Sequence, residues 1–138
     1  MRTQRQLVDY ALRRRALLAE VRVGRTSTMD VCDASPYLLR AARFHGESSQ
    51  QSCPLCDGEL VNTNWIFGDV LGPASGSARS RTELEKMTEL FSEFNVYVVE
   101  VCPSCHWNHL VQSYVLGTGA TSDGERGTRN RKRKTAGQ

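Results

Sequence analysis

Cys53-Pro-Leu-Cys56-Asp-Gly58 and Cys102-Pro-Ser-Cys105-His-Trp107 are one device written twice. Two thiolates separated by two residues bind one metal ion because the backbone between them folds into a tight knuckle. Its proline is preset for the turn and its amides face sulfur. The residue after the second cysteine of such a turn often needs positive φ, and Asp57 and His106 are of the types that tolerate it. Two such pairs point to tetrahedral zinc held by Cys53, Cys56, Cys102 and Cys105. Rubredoxin-like iron, a redox dithiol and a metal-free pair of turns are the alternatives. Four protein ligands leave no position for water or substrate, so zinc here is expected to be a structural cofactor rather than a catalytic one. His106 and His109 lie beside the second knuckle and are chemically able to replace a cysteine. With four sulfurs present, His106 is expected to fill a turn position and His109 to start the outgoing strand.

The sequence around the knuckles has strand composition. Leu60 to Leu71, Asn95 to Val101 and Leu110 to Leu116 are rich in Val, Ile, Trp, Tyr and Phe and read as strands, which puts the second knuckle at the tip of a hairpin as in a zinc ribbon. The spacer between the two pairs is longer than ribbons use and must hold an insertion. Gly72 to Ser80 reads as a loop. Thr82 then caps a helix over 82–94, with Leu84, Met87, Phe91 and Phe94 on its apolar face and Glu85, Glu89 and Glu93 toward water. Trp65 and Trp107 are expected in the core or as cover for the metal site.

Before the first knuckle the pattern is helical. Leu7, Tyr10, Ala11, Leu17, Leu18 and Val21 form one stripe on a helix over 4–23, ended near Gly24. Arg14 falls inside that stripe and must reach its edge or find an acidic partner. Arg5, Arg13, Arg15 and Arg22 fall outside it. Ser27 with Asp30 starts a short second helix, on which Cys32 is expected as a small buried apolar residue. Ser35 and Pro36 open a third helix running through Phe44, with Gly46 as its C-terminal cap. The outline is shared by helix-turn-helix domains and by many small helical hairpins.

The expected fold is therefore α+β: an N-terminal three-helix segment, basic and spanning 1–47, packed on a small antiparallel zinc-ribbon-like sheet over 48–117 that carries the inserted helix 82–94. Residues 118–138 contain no large apolar side chain and read as a disordered basic tail. Charge divides along the same lines. Residues 1–45 hold nine basic and four acidic residues, 46–121 hold three and nine, and 122–138 hold six and two. The acidic middle is a poor surface for phosphate, and the ends are better ones. Arg126, Arg129, Arg131, Lys132, Arg133 and Lys134 are the candidate nucleic-acid contacts, able to neutralise phosphates of RNA or DNA without reading bases.

A chain of 138 residues is one domain's worth of sequence, too short for a two-domain dehydrogenase or kinase. It has no run of about eighteen uncharged apolar residues and no signal-peptide core, so a cytoplasmic protein is expected, without membrane contact. No nucleotide-binding or hydrolase motif is present and nothing nominates a catalytic base.

Asp33-Ala-Ser-Pro-Tyr-Leu-Leu-Arg-Ala-Ala-Arg-Phe-His-Gly-Glu47, the first cysteine pair, Gly76-Ser-Ala-Arg79 and Tyr97-Val-Val-Glu-Val-Cys-x-x-Cys-x-Trp-Asn-His-Leu110 together resemble an actinobacterial family of small uncharacterised proteins, a domain of unknown function. The resemblance spans roughly residues 2–117 and leaves the basic tail outside. It implies a small cytosolic protein with paired cysteine knuckles and brings no activity, substrate or partner. More loosely, the ribbon is similar to those of transcription and translation proteins. The functional expectation is a non-enzymatic zinc-binding adaptor or regulator that meets the transcription or translation machinery. A redox- or zinc-responsive thiol regulator and an enzyme with an unrecognised site are the alternatives.

Overall fold

A computed structural model of the chain describes residues 4–119. Strand β1 (Arg5–Asp9) precedes three helices, α1 (Ala11–Arg22), α2 (Thr28–Val31) and α3 (Pro36–His45). Then follow β2 (Glu47–Ser52), β3 (Glu59–Phe67), a 3-10 segment (Asp69–Ala74), β4 (Ser77–Arg79), α4 (Arg81–Leu90), β5 (Phe94–Val101) and β6 (Asn108–Leu116). The strands make one curled antiparallel sheet in the order β1-β6-β5-β3-β2, with β4 also paired to β3. The architecture is α+β.

The centre of the sheet is the β3–β5 pair, in register from Val61↔Val101 to Phe67↔Asn95. Both strands carry buried residues on each face, which is why Val, Ile, Trp and Phe dominate them. The even-numbered residues of β3 and β5 face α1 and α4, and the odd-numbered ones face α3. Toward α4, Leu84 and Met87 meet Ile66, Phe94, Val96, Val98 and Leu116. Toward α1, Leu17, Leu18 and Val21 pack on Leu60 and Trp107. On the opposite face, Ala41, Ala42 and Leu38 of α3 cover Trp65, Ala78 and Val101. Glu85, Glu89 and Glu93 are exposed, and Phe91 is half-buried against the first cluster.

Several boundaries differ from those the sequence suggests, each for a local reason. Residues 5–9 are a strand, not the first turns of a helix, because the free edge of β6 offers backbone partners (Arg5↔Val115, Val8↔Ser113). The helix starts only at Ala11, whose N–H is taken by Asp9 Oδ1 at 2.7 Å. The N-terminal segment is thus mixed, not purely helical. β3 ends at Phe67, four residues short of Leu71, where Gly68 and Pro73 turn the chain into the 3-10 segment. Ser80 rather than Thr82 caps α4: its Oγ accepts from Glu83 N–H, and Glu83 Oε1 accepts from Ser80 N–H at 2.8 Å. α4 stops at Leu90 because Phe91 is already extended, so Phe94 contributes to β5 and not to the helix. The caps at Ser27 with Asp30 and at Ser35 form where the sequence places them. Gly46 closes α3 with φ −80, so it serves close approach and not a left-handed turn. A Cβ there would collide with Val61 Cγ1 and the Ala42 carbonyl.

Phe94, 1% exposed at the junction of α4 and the sheet, carries the larger apolar cluster. Phe94→Ala is expected to lower unfolding stability by about 3 to 5 kcal/mol. Glu89→Ala on the water face is expected to change it by no more than about 0.5 kcal/mol. Urea denaturation of the two variants measures both.

Candidate metal centre

The antiparallel register of β3 and β5 sets the first knuckle, which leads into β3, beside the second, which leaves β5. In the first, Cys53 N–H donates to Gly58 O at 2.6 Å and Asp57 N–H to Cys53 O at 3.0 Å. In the second, Cys102 N–H donates to Trp107 O and His106 N–H to Cys102 O, both at 2.8 Å. Asp57 and His106 occupy the equivalent left-handed position, with φ of 67 and 75. Amides converge on the sulfurs in the same pattern: Leu55 and Cys56 on Cys53, Ser104 and Cys105 on Cys102, Gly58 on Cys56 and Trp107 on Cys105.

The four sulfurs all lie within 4.8 Å of one another. The closest approaches cross between knuckles, Cys56 to Cys102 at 3.4 Å and Cys53 to Cys105 at 3.6 Å. Sulfurs on a tetrahedron with metal–sulfur bonds of about 2.3 Å stand about 3.8 Å apart, so the set fits one metal ion. Gly58 keeps the space open, since a Cβ there would sit 3.3 Å from Cys56 Sγ and 3.5 Å from Cys102 Sγ. Burial pushes the Cys53 and Cys105 thiols up. For Cys102 burial acts in the same direction, but the amides of Cys105 and Ser104 and the Cys56 thiol outweigh it and bring the group down to about 7.

Neither histidine belongs to the cluster. His106 is exposed in its turn, and His109 stacks on Trp107, with ring centroids 5.9 Å apart. Trp107 is fully buried beside the knuckle and donates Nε1–H to Glu100 Oε2 at 2.7 Å. The same oxygen accepts from Arg14 Nε at 2.6 Å. The acidic partner that Arg14 requires is therefore Glu100, two residues before Cys102, and α1 is anchored to the strand that delivers the second knuckle. Cys32 is half-buried and packs against the apolar cluster of Val31, Leu60 and Trp107, as the sequence suggests, with its Sγ 3.7 Å from Cys105 Sγ. Arg126, Arg129, Arg131, Lys132, Arg133 and Lys134 lie outside the described residues.

The model of a family of unknown function, DUF5318, matches residues 1–132. The chain belongs to this family. Among DUF5318 relatives, "Uncharacterized protein Rv0049" of Mycobacterium tuberculosis and "Uncharacterized protein Mb0050" of Mycobacterium bovis are each 57% identical over 122 residues, covering 88% of this chain and 89% of theirs. The family match continues past residue 117 and takes in Arg126, Arg129, Arg131 and Lys132. No solved structure matches the chain. Among the described residues no helix is long and apolar enough to cross a membrane.

A second feature, which the sequence did not announce, lies between β2 and α4. There the sheet face turns polar, and Asn62, Asn64 and Gln112 line a cleft of about 700 Å³, with Glu47 and Arg81 paired at 3.0 Å on its wall. Asn62 Oδ1 is buried without a hydrogen-bond partner among the described residues.

Glu100 is 5% exposed and serves two donors. Glu100→Ala is expected to cost about 2 to 4 kcal/mol in urea unfolding, because it leaves Trp107 Nε1 and the Arg14 guanidinium without their acceptor. Glu100→Gln, which keeps an oxygen for one of them, is expected to cost less.

Proposed function

We propose that this chain is a non-enzymatic module in which Cys53, Cys56, Cys102 and Cys105 hold one zinc ion as four thiolates, and that it acts in the cytoplasm by binding other macromolecules. The observation that carries the reading is the convergence of four sulfurs from two equivalent knuckles, each sulfur met by backbone amides. Such a ligand set is closed. Zinc held this way adds folding energy and leaves no position for a substrate or an activated water.

Two surfaces support a role as adaptor or regulator on the transcription or translation machinery. Arg13, Arg15 and Arg22 are exposed along α1, and with the basic residues 126–134 they suit a phosphate backbone. On the other face of the sheet, Phe67, Tyr97, Val99 and Leu110 line an apolar hollow beside Leu38 and Trp65 that α3 leaves uncovered. A hollow of that composition suits a protein partner. The alternative of a thiol regulator is favoured by the position of Cys32 and is taken up below.

Elemental analysis of protein made without added metal is expected to give zinc near one equivalent. Cys56→Ser is expected to lose both the metal and the cooperative unfolding transition, and a metal-free wild type with an unchanged transition would overturn the reading. Zinc affinity should fall as pH drops through neutrality, because every ligand must stay deprotonated against competing protons.

The nucleic-acid half of the proposal is tested by a salt titration. Deleting residues 122–138 is expected to weaken binding to RNA or DNA of any sequence and to flatten the slope of log affinity against log salt, with zinc content unchanged. Equal slopes for intact and truncated protein would shift the contact to α1 or remove it.

A further inference from the structure

Cys32 stands outside the four-sulfur set and yet touches one of its members. Its Sγ is 3.7 Å from Cys105 Sγ, whereas the set whose sulfurs all lie within 4.8 Å of one another comprises Cys53, Cys56, Cys102 and Cys105. The approach is built into the fold. Cys32 closes α2, its N–H donating to Thr28 O at 2.8 Å, and the residues that follow are tied to the second knuckle. Ala34 N–H donates to His106 O at 3.0 Å, and Asn108 Nδ2 donates to Asp33 Oδ1 at 2.9 Å. Val31, just before Cys32, is buried in the same cluster as Cys53, Cys102 and Trp107. These contacts fix where the Cys32 sulfur stands relative to Cys105.

We propose that Cys32 is a peroxide-reactive thiol whose oxidation product is a disulfide with Cys105, and that forming this bond withdraws one ligand and releases the metal. The proposal rests on the four-thiolate reading of the centre. The oxidant is hydrogen peroxide. The Cys32 sulfur attacks one peroxide oxygen, the O–O bond breaks, and one water leaves as Cys32 becomes a sulfenic acid. The Cys105 sulfur then attacks the Cys32 sulfur, the S–O bond breaks, and the departing hydroxide takes a proton to leave as a second water. Two electrons pass from the two sulfurs to the peroxide. The sulfurs need only close from 3.7 Å to the roughly 2.05 Å of a disulfide bond. Cys105 is the partner that geometry selects, and Cys32 is the thiol of the five that metal binding leaves free. Three remaining thiolates no longer close a tetrahedral site.

The test uses the zinc-loaded full chain, with Cys32→Ser and Cys32→Ala beside the wild type. Zinc content is measured first, then hydrogen peroxide is added and released zinc is followed with a chromophoric chelator, while disulfides are mapped by mass spectrometry of unreduced digests. Both variants should carry as much zinc as the wild type, since Cys32 is not a ligand. On peroxide the wild type should release zinc with Cys32 linked to Cys105, and both variants should release it about tenfold more slowly, the scale of a modest proximity advantage. Dithiothreitol with added zinc should restore the wild type. Equal release rates in all three proteins, or linkages confined to Cys53–Cys56 and Cys102–Cys105, would overturn the proposal. Absence of zinc from every untreated protein would instead overturn the four-thiolate reading, and the mapped linkage would still decide whether Cys32 and Cys105 pair.

Discussion

The register of β3 against β5 is the constraint on which the rest depends. Opposing Val61 to Val101 brings two turns, far apart in sequence, to one end of the sheet with their sulfurs facing each other. A slip of one residue would shift the knuckles by about 3.3 Å along the strands and turn every side chain of β3 to the wrong face. Both faces resist it. Leu60 and Ile66 are wanted by the helices on one side and Trp65 by α3 on the other. Apolar packing along the strands thus sets the geometry of a polar site beyond their ends.

The site in turn explains the residues around it. In the proposed centre, four thiolates around a divalent ion would carry a net charge of about −2, which a half-buried position tolerates only if that charge is spread. Amide groups from both knuckles point at the sulfurs and do so without adding a formal charge. Glu100 lies close by on β5 and would add to the negative charge, but Arg14 neutralises it and Trp107 takes up the same oxygen. The one arginine within the apolar stripe of α1 is therefore where a buried carboxylate needs a cation, and α1 is held by an ion pair as well as by Leu17, Leu18 and Val21.

The knuckles were legible because a Cys-Pro-x-Cys turn is specified by its own few residues, down to the left-handed Asp57 and His106. The apolar core of α4 and the strands β3, β5 and β6 were legible from periodicity, and so was the need of Arg14 for a partner. What escaped depends on contacts distant in sequence. β2 is a polar segment that becomes a strand only because β3 supplies hydrogen-bond partners, and nothing in Glu47 to Ser52 has β propensity enough to announce one. The Leu7, Tyr10 and Ala11 spacing fits a helix, yet the chain from Arg5 to Asp9 satisfies its backbone on β6 instead. Cys32 sits on a short helix whose contact with Cys105 is purely tertiary. The Asn62 and Asn64 cleft was hidden among strand residues for the same reason.

The two outer strands share a trait that bears on how this protein can meet others. β1 and β2 each break register with their neighbour, and each carries a glutamine in the left-handed region, Gln6 with φ 51 and Gln50 with φ 65. Such kinks interrupt the row of free amides and carbonyls that an incoming strand would need, and the Glu, Ser and Gln side chains of β2 keep it wet. Along β1 and β2 the kinks therefore oppose recognition by strand addition. The most exposed large apolar side chains among the described residues, Met29, Leu12 and Leu90, stand on helices instead.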